Sequence, residues 1–113
     1  MPFINLKTNV ITDDAQNTAL KTAFGKAIEA IPGKSEDWLM VAIDNGLNLY
    51  FKGDAAPCAM VEVSVFGTEN SAAYNVLTRK ICDILNETLD IQKSRVYVKY
   101  DTTKDWGWNG GNF

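Results

Sequence analysis

The chain has 113 residues, 46% of them hydrophobic, with a formal net charge of −3 and no histidine. That length fits one domain spanning 1–113, and the apolar content rules out wholesale disorder. The acidic balance excludes a nucleic-acid surface, which needs a basic stripe, and the missing histidine excludes Ser-His-Asp and Cys-His nucleophiles.

Pro2 stands directly behind Met1. If Met1 is trimmed, which a small second residue favours, the proline nitrogen becomes a secondary amine with a free lone pair. An ordinary α-amino group has a pKa of about 7.7–8.0, and burial or a nearby cation lowers it. Such an amine can act as a general base at neutral pH without histidine. The alternative is that Pro2 only leads into a strand, where a missing N–H is tolerated. Phe3-Ile4-Asn5-Leu6 reads as that strand.

Thr12 is the expected N-cap of a first helix, followed by Asp13 and Asp14, which suit a helix N-terminus. Leu20, Phe24, Ile28 and Ile31 recur at helical steps over roughly five turns, and Pro32-Gly33 ends the run. Residues 38–43 form a near-continuous apolar run, read as a buried strand. Asp44-Asn45-Gly46 signals a turn, and Leu49-Tyr50-Phe51 reads as a further short strand. Cys58 to Phe66 is a third apolar run, broken by Gly67. Ser71 is the expected cap of a second helix with its stripe on Tyr74, Leu77 and Ile81. Residues 95–100 alternate as a half-buried strand, and the tail from Trp106 to Phe113 is aromatic and glycine-rich.

The order is strand–helix–strand, twice. Right-handed crossovers place both helices on one face of a four-stranded mixed sheet, an α+β fold. The apolar density of 38–43 and 58–66 argues for a covered second face, and neighbouring subunits are the economical cover. RNA-recognition domains share this architecture, but the basic-aromatic signature is missing from residues 58–66. Cys58 and Cys82 read as reduced core residues, no Cys/His spacing suggests a metal, and no cofactor is expected. No apolar run is long enough to insert in a membrane, and the N-terminus lacks a signal-peptide layout. The expectation is a cytoplasmic protein, with unconventional release leaving no mark on the sequence.

Met1-Pro2-Phe3-Ile4, Thr8-Asn9-Val10, Gly33-Lys34, Pro57-Cys58-Ala59, Arg95-Val96-Tyr97 and Trp106-Gly107-Trp108-Asn109-Gly110 with Phe113 occur in an order and spacing of their own. Together they resemble the macrophage migration inhibitory factor and D-dopachrome tautomerase family over essentially the whole chain. The resemblance implies two pseudo-symmetric βαβ units assembled as a homotrimer. It implies keto–enol tautomerisation of phenylpyruvate-like α-keto acids, and of D-dopachrome in model assays, at sites between subunits. The alternative is a secreted, cytokine-like ligand with a vestigial pocket and a cell-surface receptor as partner.

Residue by residue, the resemblance makes Pro2 the catalytic base. Lys34 would depress its pKa and bind the substrate carboxylate; without the resemblance Lys34 is a solvated loop lysine. Phe66 would contribute its backbone N–H, and its side chain replaces a common isoleucine in the pocket wall. Tyr97 is either an aromatic wall of a neighbouring subunit's site or an interface aromatic. Lys99 replaces a common asparagine and either adds a second cation or turns to solvent. Trp108 and Phe113 would lie near the substrate, with Trp106 on the rim. Cys58-Ala59-Met60-Val61 lacks the second thiol of a Cys-x-x-Cys, so no dithiol redox activity is expected. Ile11-Thr12-Asp13 lacks an arginine tied to receptor engagement in mammalian members.

Overall fold

A computed structural model describes residues 1–113. β1 (Pro2–Thr8) alternates buried and half-buried residues along its length. It pairs in parallel with β2 (Met40–Asp44) and antiparallel with β3 (Ala59–Phe66). β3 pairs in parallel with β4 (Val96–Thr103), so the sheet order is β2-β1-β3-β4. The two crossovers are α1 (Asp14–Ala27) and α2 (Ser71–Leu89). This is the doubled βαβ pattern legible in the sequence.

Both helices pack on one sheet face. Leu20 and Phe24 of α1 and Leu77, Ile81 and Leu85 of α2 join Ile4, Leu6, Val61 and Val63 in one buried cluster. A fully buried aliphatic or aromatic side chain contributes about 1.5–3 kcal/mol by leaving water, so this cluster dominates the stability. Cys58 is buried and Cys82 half-buried, and both are free; burial pushes the Cys82 thiol up, which suits packing rather than reactivity.

Both expected caps shift by one residue. Asp13, not Thr12, caps α1: its carboxylate accepts from the Gln16 N–H at 2.8 Å, and the Gln16 side chain accepts from the Asp13 N–H at 3.0 Å. This reciprocal box satisfies two orphan donors, which Thr12 alone would not. Asn70, not Ser71, caps α2 by accepting from the Ala73 N–H at 3.1 Å. α1 is also shorter than the apolar stripe suggests, because its last turn tightens into a 3₁₀ turn over Ile28–Ala30.

Three further expectations are corrected. β2 starts at Met40, since Glu36–Trp38 form a 3₁₀ turn that holds Trp38 outside the strand. Leu49-Tyr50-Phe51 forms no strand; only an isolated bridge joins Phe51 to Asp54. Asn9 pins that loop instead, donating to the carbonyls of Leu49, Ala55 and Ala56 at 3.1 Å each. Finally, the second sheet face is not densely apolar. β3 alternates, with Val61, Val63 and Val65 under the helices and Met60, Glu62 and Ser64 on the open side. Lys7 and Glu62 form an ion pair of 3.2 Å across the middle of that side.

Truncating Leu77, which is fully buried, to alanine is expected to cost about 2–5 kcal/mol and to lower the urea midpoint clearly. Arg79→Ala, one turn face away and exposed, is expected to stay within about 0.5 kcal/mol.

Candidate active site

Pro2 opens β1 opposite Val65 and is buried. One step further along β3, the Phe66 N–H donates to the Met1 carbonyl at 3.1 Å. Lys34 arrives from the first crossover. Gly33 takes φ +81°, a left-handed value that lets the chain reverse after the helix. The Lys34 Nζ then donates to the Phe66 carbonyl at 2.8 Å. Three of the residues singled out in the sequence thus converge on one point at the end of the sheet.

The tail adds aromatics to the same end. β5 (Gly107–Trp108) and β6 (Gly111–Asn112) form a two-residue hairpin. Its turn needs positive φ at both central positions, which Asn109 (52°) and Gly110 (84°) supply. The Phe113 N–H returns to the Trp106 carbonyl at 3.0 Å. The Phe113 ring stands edge-on to Phe66 at 5.3 Å, and Trp108 stands edge-on to Trp38 at 5.2 Å.

A cavity of about 760 Å³ opens beside these groups, on the bare side of the sheet between the Trp38 turn and the tail. That size suits a small organic ligand. Met1, Pro2, Phe3, Trp38, Met40 and Trp108 are among its lining residues. Lys34, Phe66 and Phe113 are not in its wall. Lys34 and Phe66 meet it through Met1, whose carbonyl holds the Phe66 N–H and whose amine lies beside Lys34.

Burial, then the Lys34 ammonium, lowers the pKa of the Met1 amine below the ordinary α-amino range. Both causes disfavour a positive charge at this spot. With Met1 attached, the Pro2 nitrogen is a tertiary amide without a basic lone pair, and the Met1 carbonyl occupies the N–H of Phe66. The unprocessed chain therefore fills its own donor site.

Tyr97 and Lys99 are not in the cavity wall of their own chain, although Lys99 pairs with Asp101, which is. Tyr97 pairs with Met60 and Lys99 with Glu62, whereas Phe66 pairs with Thr103. Six residues of strand at about 3.3 Å each put Tyr97 roughly 20 Å from the Pro2 end. Tyr97 stands edge-on to Phe51 at 5.0 Å, and Lys99 reaches Asp101 at 3.7 Å. The residues that sequence reasoning missed are Trp38, Met40, Asp37, Asp101 and Asp105, all in the cavity wall. For Asp101 a signal existed, because it shares the strand parity of Tyr97 and Lys99.

A family model described as macrophage migration inhibitory factor matches residues 1–113. A macrophage migration inhibitory factor of Xenopus laevis is 29% identical, over 100% of this chain and 99% of that protein. A D-dopachrome decarboxylase-B of the same species is 28% identical over 97% and 95%. Among solved structures, Leishmania major MIF2 superposes with a TM-score of 0.93 at 34% identity, over 100% and 97% of the two chains.

The lowered Met1 amine has a consequence for stability. Between its folded and unfolded pKa values the native chain binds fewer protons than the unfolded one. Stability of the Met1-bearing chain is therefore expected to rise with pH through that window, and to fall as pH drops through the folded value. Lys34→Met is expected to move the amine part of the way back up and to flatten the rise, with burial retaining the rest. Titration of the isotopically labelled amine by NMR checks this; an amine unmoved by the substitution would remove Lys34 as a cause.

Proposed function

The chain belongs to the macrophage migration inhibitory factor family, and we propose that it is a keto–enol tautomerase for phenylpyruvate-like α-keto acids and D-dopachrome-type model substrates. Pro2 is its general base once Met1 is removed. The observation that carries this reading is the convergence of Pro2, the Lys34 ammonium and the Phe66 N–H beside an aromatic-walled cavity.

In this mechanism Met1 removal does two things. It turns the Pro2 nitrogen into a secondary amine, and it frees the Phe66 N–H for a ligand oxygen. The environment that lowers the Met1 amine lowers its successor in the same direction. Lys34 has donors to spare beyond its bond to Phe66 and binds the substrate carboxylate. The neutral amine removes a proton from the carbon next to the carbonyl. The electron pair moves onto the carbonyl oxygen, the Phe66 N–H stabilises the charge, and the oxygen takes up a proton from the Pro2 ammonium, which regenerates the neutral amine and gives the enol. The reverse sequence restores the ketone, and no atom or electron is gained or lost.

The site is completed between copies of the chain, in a homotrimer that brings Tyr97 and Lys99 from a neighbour. Their distance from Pro2 within one chain and their exposure support this. The chain is then a single domain over 1–113, the span matched by the family. Its relatives' name favours a second reading, a released cytokine-like ligand acting on a cell-surface receptor. No helix is long and apolar enough to cross a membrane.

The test is turnover of phenylpyruvate by Met1-free protein, followed by enol absorbance. Pro2→Gly is expected to lower kcat/KM by about 100-fold or more, the scale of a lost general base. Activity is expected to rise with pH around a midpoint below about 7.7–8.0. Undiminished turnover in Pro2→Gly would sink the proposal, and sedimentation as a stable monomer would sink the shared site.

A further inference from the structure

Asn-Gly occurs twice in the chain, at Asn45-Gly46 and at Asn109-Gly110, and the fold treats the two pairs differently. Gly46 is held in place: its N–H donates to the Val10 carbonyl at 3.0 Å, and the Leu47 N–H donates to the Thr8 carbonyl at 3.0 Å. Asn109 and Gly110 instead form the tip of the tail hairpin, with φ 52° and 84°. The Gly110 N–H donates to no backbone acceptor.

Such a pair reacts within itself. The Gly110 nitrogen attacks the side-chain carbonyl carbon of Asn109, unhindered because glycine has no Cβ. The bond from that carbon to the side-chain nitrogen breaks, and ammonia leaves with the proton of the Gly110 N–H. Water then opens the cyclic imide. Opening at the side-chain carbonyl gives aspartate. Opening at the backbone carbonyl gives isoaspartate, in which the main chain runs through Cβ and the former side-chain carbon. Nothing is oxidised or reduced. A hydrogen bond on the attacking N–H opposes loss of its proton, so Gly46 is protected and Gly110 is not. The attack also needs the turn to open, and a hairpin with two residues in each arm is marginal by itself.

Isoaspartate lengthens a turn whose closure depends on its length and on positive φ at both positions. The pairs Gly107–Asn112 and Trp108–Gly111 then lose register, and with them the Phe113 N–H bond to the Trp106 carbonyl. Those links hold Trp108 edge-on to Trp38 and Phe113 edge-on to Phe66.

We infer that Asn109 is a site of spontaneous modification, and that its conversion to isoaspartate withdraws the aromatic tail from the cavity as the protein ages. The effect on turnover rests on the tautomerase reading; the modification does not. The reaction joins adjacent residues of one chain. A neighbouring subunit stops it only by bonding the Gly110 N–H or packing the turn shut, so the native assembly is the form to test.

Met1-free protein in that assembly is incubated at mildly alkaline pH, which favours the deprotonated amide. Peptide mass spectrometry with isoaspartyl methyltransferase labelling locates the product, tryptophan emission follows the tail, and phenylpyruvate turnover follows the site. Isoaspartate is expected at position 109 while Asn45 keeps its amide. The modified protein is expected to show altered emission and a KM raised about 3- to 10-fold, the scale of one lost aromatic contact. Asn109→Gly accepts positive φ and has no side chain to attack, so its KM is expected to hold through the same incubation. Freshly prepared Asn109→Asp carries the new charge without the longer backbone and is expected to match unaged protein. An intact Asn109 amide, or isoaspartate no faster there than at position 45, overturns the site. Isoaspartate with emission and KM unchanged, or the full KM rise in Asn109→Asp, overturns withdrawal of the tail. Fresh protein that turns over no phenylpyruvate removes the tautomerase reading and leaves the mass and emission tests deciding the inference.

Discussion

The site depends on one constraint: the first strand of the chain is an interior strand of the sheet. β1 has β2 on one side and β3 on the other, with Pro2 paired to β3 and both ladders in place from Phe3 onward. A chain end is ordinarily mobile unless it is tied down in this way. The antiparallel ladder holds Pro2 opposite Val65, and the Phe66 N–H carries it one residue further to Met1. Proline fits because the first residue of a strand can lack a donor. A strand drawn from mid-chain would place an amide here and never an amine.

Phe66 links the parts through its backbone. Its N–H holds the Met1 carbonyl at 3.1 Å and its carbonyl holds the Lys34 ammonium at 2.8 Å. The backbone of one residue, through the two peptide groups that it joins, therefore sets the chain's first residue and the cation relative to one another. Its side chain does separate work, standing edge-on to Phe113 and drawing the tail onto the site. The backbone roles do not depend on the side chain.

The doubled βαβ pattern was legible because its signals are local. Leu20 and Phe24, or Leu77 and Ile81, mark a buried stripe whatever surrounds them. The convergence of Pro2, Lys34 and Phe66 rested on the resemblance; spacing alone left Lys34 a loop lysine. Trp38 was hidden for the opposite reason. Its apolar neighbours in 39–43 made it look like strand, while the 3₁₀ turn before β2 turns it out toward Trp108. Asp13 and Asn70 beat Thr12 and Ser71 by side-chain geometry that a one-residue shift in sequence barely registers. Leu49-Tyr50-Phe51 has the composition of a strand, yet the Asn9 amide takes the carbonyls of this loop and no ladder forms.

The open sheet face supports reading the single chain as part of a larger unit. Met40 is 68% exposed and Tyr97 63%, at opposite corners of that face. The outer strands β2 and β4 each keep an unpaired edge, which is where another chain most readily adds. The Asn5 side-chain oxygen lies buried in the middle of the face with no hydrogen-bond partner. Buried polar atoms nearly always have one, so a missing partner points to a missing neighbour. Yet the middle of the face is polar, through Lys7, Glu62 and Ser64, and a purely apolar contact would strand those groups. Copies that met at the Met40 and Tyr97 corners and left water along the polar centre would satisfy both demands, and the proposed shared site needs such a contact, because one chain leaves roughly 20 Å between Tyr97 and the Pro2 end.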